Sequence, residues 1–144
     1  MAQASALGLR TADGRRPRVA LVGGTPASLL VAGVLIEQFG GSPISTPTAE
    51  AILALLGSGD DVDLVVLDLA IPDGILVAQL IRTLGGGRPL PMIALSSSRA
   101  DVTVPGARAA GFSGAVIKPY SPRELYGAMH TALLGPRTAV TGTA

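Results

Sequence analysis

The sequence predicts an α/β domain in which a parallel sheet is packed by helices on both faces. Three observations carry that prediction. Strand-like and helix-like segments alternate five times along residues 18–134. The run DLVVLD, residues 63–68, is apolar almost without a break, as expected of a central parallel strand covered on both sides. Several strand-to-helix junctions carry a hydroxyl residue followed by proline, the combination that caps and opens a helix. Strands separated by helical crossovers lie side by side in parallel.

The elements follow in order. RVALV, residues 18–22, is the first strand and breaks at Gly23-Gly24. Thr25 then caps a helix that Pro26 opens, running over 26–39 and ended by Gly40-Gly41. A weak second strand is expected at 42–45. Thr46-Pro47 repeats the cap-and-proline start before AEAILALLG, the second helix. After the third strand, GILVAQLIRTLGGG has the i, i+3, i+4 apolar spacing of a third helix. PMIALS is the fourth strand, and a short, poor helix follows around 102–110, weakened by Pro105 and Gly106. GAVIK is the fifth strand. Ser121-Pro122-Arg123-Glu124 is a capping box with proline in the first turn, and it opens the last helix. Residues 1–17 are polar and aperiodic and read as a flexible lead-in, while 135–144, GPRTAVTGTA, read as a linker or tail. The domain itself is expected to span 18–134.

A chain of 144 residues suits one domain with a substantial core. With no cysteine, disulfides and thiolate metal sites are excluded. No apolar run reaches bilayer length, and MAQASALGLR lacks the charged start and sustained apolar stretch of a secretory signal. The expectation is a cytoplasmic domain without membrane contact. The net charge is only +1, but it is unevenly distributed. No Lys or Arg occurs between Val19 and Ile81, where Glu37, Glu50, Asp60, Asp61, Asp63, Asp68 and Asp73 are all acidic. From Arg99 onward the basic residues Arg99, Arg108, Lys118, Arg123 and Arg137 face only Asp101 and Glu124. One half repels anions and the other attracts them.

In parallel α/β sheets, chemistry gathers at the carboxyl ends of the strands. Those ends are Gly23-Gly24, Asp68, Ser96 and Lys118-Pro119. Gly23-Gly24-Thr25 lacks the downstream Lys-Ser/Thr of a phosphate-binding loop and the third glycine of a dinucleotide fingerprint. No Ser/His/Asp set or metal-ligand cluster is present, so the domain is not read as an enzyme by itself. His130, the only histidine, reads as a helix residue, and no segment suits sequence-specific DNA binding.

The order and spacing of DLVVLDLAIP, MIALSSS and AGFSGAVIKPYSPREL resemble the receiver domain of bacterial two-component response regulators, over residues 18–134. The resemblance implies a flavodoxin-like (βα)5 doubly wound parallel sheet of strand order 2-1-3-4-5. It implies Asp68 as the phosphoryl acceptor, Ser96 as the hydroxyl that contacts the transferred group, and Lys118 as the cation that neutralises it. Two departures stand out. The family's first strand ends in two acidic residues that hold Mg²⁺, and here Gly23 and Gly24 occupy those places. Mg²⁺ needs hard oxygen ligands and offsets charge on the transferring group, so Asp68 and the Ala70 carbonyl are a poor set alone and no metal cofactor is expected. The family's switching aromatic, three residues before the lysine, is replaced by Ala115. The loop IPDG is also shorter than the family's pattern. The expectation is a degenerate pseudo-receiver of a two-component phosphorelay, from a hybrid sensor histidine kinase.

Receivers signal through the face formed by the fourth helix, fifth strand and fifth helix. Here that face carries Arg99, Arg108 and Arg123 around Ala115, Ile117 and Tyr120. The smaller side chain at Ala115 should leave a hollow, Tyr120 offers a ring for stacking, and an Arg fork suits phosphate or the O6/N7 edge of guanine. Cyclic di-GMP is the ligand this combination suggests, regulating a kinase core or second receiver in the same protein. The alternatives are a divergent working phosphoreceiver that accepts phosphate on Asp68, and a ligand-free docking module.

Overall fold

The computed structural model describes residues 8–84, 90–102 and 109–142. Five strands form one parallel sheet: β1 (Arg18–Val22), β2 (Ser42–Thr46), β3 (Leu64–Asp68), β4 (Met92–Ser96) and β5 (Gly114–Ile117). Their order is β2-β1-β3-β4-β5, the flavodoxin-like arrangement. The helices are α1 (Pro26–Gln38), α2 (Ala49–Gly57), α3 (Gly74–Leu84) and α4 (Pro122–Gly142), with a 3₁₀ turn at Arg99–Val102.

Alternation along the strands divides the core in two. Val19, Leu21, Leu64, Val66, Ile93 and Leu95 face α1 and α4, where Ile36, Leu125 and Met129 close over them. Ala20, Val22, Val65, Leu67 and Met92 face α2 and α3, where Ile52, Val77, Ala78 and Ile81 close the second core. β3 and β4 are buried at every position, which is why they are apolar up to the polar residue that closes each, Asp68 and Ser96. Local signals agree with the packing. Thr25 and Ser28 form the reciprocal cap of α1, with the Ser28 amide donating to Thr25 Oγ1 at 3.1 Å. At α4 the Ser121 amide donates to Glu124 Oε1 at 2.8 Å and the Glu124 amide to Ser121 Oγ at 3.1 Å.

The structure corrects several expectations. Thr46 does not cap α2: it is the buried last residue of β2, its hydroxyl donating to the Leu21 carbonyl at 2.7 Å. Thr48 is the cap, accepting from the Ala51 amide at 3.1 Å. Within the expected lead-in, Leu9 and Pro17 are buried while residues 12–16 are exposed. Leu9 is fully buried against the first core, and its amide donates to Phe39 O at 2.7 Å. Arg16 Nη2 binds Gly41 O at 2.9 Å, and Arg15 reaches Asp63 at 3.1 Å. Leu7 and Leu9, in a stretch of mostly small and polar residues, make no sustained periodicity, so sequence pattern could not reveal this contact. The last helix continues past Gly135 to Gly142, through residues expected to be a tail. A proline within a helix forfeits a hydrogen bond and bends the axis without always ending it. The expected helix around 102–110 falls mostly outside the described residues.

Candidate functional site

The register of the sheet brings the strand ends together. Val22 pairs with Leu67, which sets Gly23 level with Asp68. The Leu69 amide donates to Leu95 O at 2.9 Å and the Lys118 amide to Ser96 O at 2.8 Å, carrying the ladder just beyond the strands. Asp68, Ser96 and Lys118 therefore stand on three adjacent strand ends, with Gly23 and Gly24 on the fourth.

Asp68 is nearly enclosed, its side chain 6% exposed against 33% for Lys118. Lys118 Nζ donates to Asp68 Oδ2 at 2.7 Å, and the Ala70 amide donates to Oδ1 at 2.9 Å. A charge-assisted bond of that length is among the stronger polar contacts a protein makes. Ser96 is buried and its hydroxyl is bound to its own loop, donating to Ser98 O at 2.9 Å and accepting from the Ser98 amide at 3.2 Å. The Lys118–Pro119 peptide is cis.

Gly23 and Gly24 both have left-handed backbones, with φ of +79° and +99°. A Cβ added at Gly23 would stand 2.1 Å from Ile71 Cγ2 and 3.6 Å from Asp68 Cβ. At Gly24 it would stand 2.9 Å from Ser28 Oγ and 3.5 Å from Asp68 Oδ2. Ile71, the first residue of the shortened IPDG loop, thus reaches over the place where a side chain at position 23 would begin. Sequence reasoning noted the loop but missed the residue. The available signal was a β-branched apolar side chain three positions beyond Asp68, just before the turn residues Pro72-Asp73-Gly74. Among the described residues no group of three or more His, Cys, Asp or Glu could hold a metal ion.

Two cavities bear on the candidate residues. One, of about 30 Å³, lies inside the strand ends, lined by Asp68, Lys118, Tyr120, Ser28 and apolar residues of β1, α1 and β4. It is large enough for a water molecule. Tyr120 packs against the first core here, and its phenol is raised above the ordinary value by burial and then by the Asp68 carboxylate. The other, of about 420 Å³, is open at the surface between β5 and α4, lined by Arg99, Ala115, Ile117, Arg123 and Thr131 among others. It lies beside Ala115. Tyr120 is not among the residues lining it; the half-buried side chain packs against the first core and borders the cavity beside Asp68 instead. The expected stacking platform is thus separate from the arginines. Arg108 lies outside the described residues. Glu124 also borders the hollow, with one carboxylate oxygen held by the cap of α4. His130 is exposed, its ring stacked on Tyr126 at 5.8 Å. Among the described residues no helix is long and apolar enough to cross a membrane.

Residues 19–130 match the family model described as the response regulator receiver domain, well over half of the chain. No curated protein matches the chain. Among solved structures, it is similar to the N-terminal domain of a response regulator/sensory box/GGDEF three-domain protein from Carboxydothermus hydrogenoformans, at 20% identity and TM-score 0.75, covering 85% of this chain and 98% of that one. It is similar to a CheY-like receiver domain from Methylobacillus flagellatus at 20% identity and TM-score 0.72, covering 81% and 98%. A CheY-like receiver domain protein from Methanospirillum hungatei gives 22% identity and TM-score 0.74, covering 86% and 98%.

Proposed function

Because the chain belongs to the response regulator receiver domain family, we propose that it serves two-component signalling as a pseudo-receiver, regulating by binding and not by efficient phosphorylation of Asp68. The observation that carries this reading is the occupation of the space beside Gly23 by Ile71. Mg²⁺ demands near-octahedral oxygen ligation and is usually held through one or two carboxylates. Of the family's ligand set there remain the Asp68 carboxylate, engaged by Lys118 and Ala70, and the Ala70 carbonyl, while Ser28 in the same cavity offers a hydroxyl without charge. These residues do not fit the metal. Phosphoryl transfer rests on neutralising charge as it moves, and Lys118 alone supplies one positive charge where the family combines a lysine with a dication. Intact-mass spectrometry after incubation with acetyl phosphate and Mg²⁺ tests the reading. The expected result is an unmodified chain; a phosphorylated fraction that disappears in Asp68→Asn would support a working phosphoreceiver instead.

The hollow beside Ala115 favours a ligand as the regulatory input. Its two guanidiniums, Arg99 and Arg123, border a concave surface of about 420 Å³. Arg forks bind phosphate and guanine edges, which makes cyclic di-GMP the ligand of choice for this site. Stacking on Tyr120 forms no part of this reading, since that side chain borders the cavity beside Asp68. A ligand here would bias the arrangement of a neighbouring domain, such as a histidine kinase core or second receiver, by binding one arrangement more tightly. Calorimetric titration with cyclic di-GMP should give a saturable heat that Arg123→Ala removes. No heat, or heat unchanged in that variant, would leave docking to a protein partner as the function of the face.

A further inference from the structure

We propose that the groove between α2 and α3 is a docking site for a cationic amphipathic helix of a partner protein. It lies on the opposite side of the sheet from α1 and α4, and does not depend on the reading of the Asp68 site. α3 buries Val77, Ala78 and Ile81 against the second core. A surface helix with one stripe buried is ordinarily polar on the other. Instead, α3 turns a second apolar stripe outward: Leu76, Leu80 and Leu84 are 53%, 42% and 46% exposed. Their spacing of four aligns them along the helix over about 12 Å, slightly more than two turns. Between this stripe and α2 runs a groove of about 410 Å³, with Leu53, Ile71, Leu76 and Leu80 among its lining and the exposed Glu50 and Asp73 on its rim.

Charge selects the occupant. Glu50 is the one charged residue of α2 and Arg82 the one charged residue of α3. Arg82 is unavailable to a partner, because its guanidinium donates to Ala110 O at 3.1 Å, Leu90 O at 2.9 Å and Gly111 O at 2.7 Å. Neither Glu50 nor Asp73 takes part in a salt bridge among the described residues. The groove is therefore apolar with a negative rim. A helix laying an apolar stripe into it gains by flanking that stripe with Lys or Arg, a familiar mode of helix-in-groove recognition. An anionic lipid surface would be repelled by the same rim. The apolar patch on α1, formed by Leu30, Val31 and Val34, carries no comparable pair of carboxylates, its cavity being bordered by Glu37 alone of the charged residues.

Fluorescence anisotropy on the full chain tests the proposal. The probes are a labelled Leu/Lys peptide with helical amphipathic spacing, about four turns long, its Leu/Glu counterpart, and phosphatidylserine-containing vesicles followed by co-sedimentation. The Leu/Lys peptide should bind saturably. Leu80→Ser should weaken it about tenfold, as loss of a central apolar anchor does. Glu50→Lys should weaken it about threefold and flatten its salt dependence. Leu30→Ser, on α1, should leave binding unchanged. Circular dichroism checks that each variant folds, and all three positions are exposed. The proposal is overturned by absence of saturable binding, by equal binding of the Leu/Glu peptide, or by equal effects of Leu80→Ser and Leu30→Ser. Vesicle binding lost in Leu80→Ser would assign the groove to lipid and overturn it too.

Discussion

A single methyl group added at Gly23 is expected to destabilise the domain by about 2–5 kcal/mol. Two separable effects contribute. The backbone at Gly23 has φ of +79°, and an L side chain in the left-handed region costs about 1–2 kcal/mol. The new Cβ would also lie 2.1 Å from Ile71 Cγ2, well inside contact distance. Cγ2 is attached directly to the branched Cβ of Ile71, so it moves only through χ1 or the backbone, and β-branched residues are stiff at χ1. Overpacking of this kind costs about 1–3 kcal/mol. For a domain of this size each kcal/mol lowers Tm by about 2–4 °C. Urea denaturation of Gly23→Ala, Ile71→Ala and the double variant separates the two effects. The double variant should be more stable than the sum of the single changes predicts by at least about 1 kcal/mol, leaving mainly the backbone term. The reasoning is refuted if Gly23→Ala lies within about 0.5 kcal/mol of the parent, or if Ile71→Ala gives no relief.

Other perturbations probe the same region. Lys118→Met should cost about 2–4 kcal/mol, since it strands a nearly enclosed Asp68 carboxylate with one remaining hydrogen bond, whereas Asp68→Asn should cost about 1 kcal/mol because Lys118 can turn to water; equal losses in urea denaturation would contradict this asymmetry. Tyr120 has its phenol raised in the folded state, so the protein retains that proton longer than the unfolded chain does. Its contribution is complete below the unfolded value near 10 and declines as pH rises through the folded value, so the parent should lose stability in that window faster than Tyr120→Phe. Ala115 is exposed beside an open hollow, so Ala115→Phe should change stability by less than about 0.5 kcal/mol while abolishing any heat of cyclic di-GMP binding; unchanged heat would place the ligand elsewhere.

The sheet was legible because its strands announce themselves. RVALV, DLVVLD and MIALS are apolar in runs too short for helices, and glycine or proline brackets most of them. The convergence of the strand ends was legible for a related reason: Asp68, Ser96 and Lys118 are polar residues closing apolar strands, and parallel topology brings such residues together. What the sequence concealed depends on side-chain direction. Thr46 and Thr48 are both plausible caps, and only packing decides that the first points inward to Leu21. Leu9 lies in a short aperiodic stretch, and its burial depends on Phe39, thirty positions away. Tyr120, two residues after Lys118, was expected on the ligand face with Arg99 and Arg123, yet it lines the cavity beside Asp68. Gly23 and Gly24 showed that carboxylates were missing, and the structure adds that Ile71 has taken up the space.

On the function proposed above, Asp68 sits in a pocket that does not assemble a metal-assisted phosphoryl site. The most direct measurement is a titration of the domain with Mg²⁺ and beryllofluoride, followed by amide NMR spectra of the parent and Asp68→Asn. The account predicts no saturable, Asp68-dependent shift of amides around Gly23, Asp68, Ser96 and Lys118. A saturable shift at those residues, lost in Asp68→Asn, would contradict it.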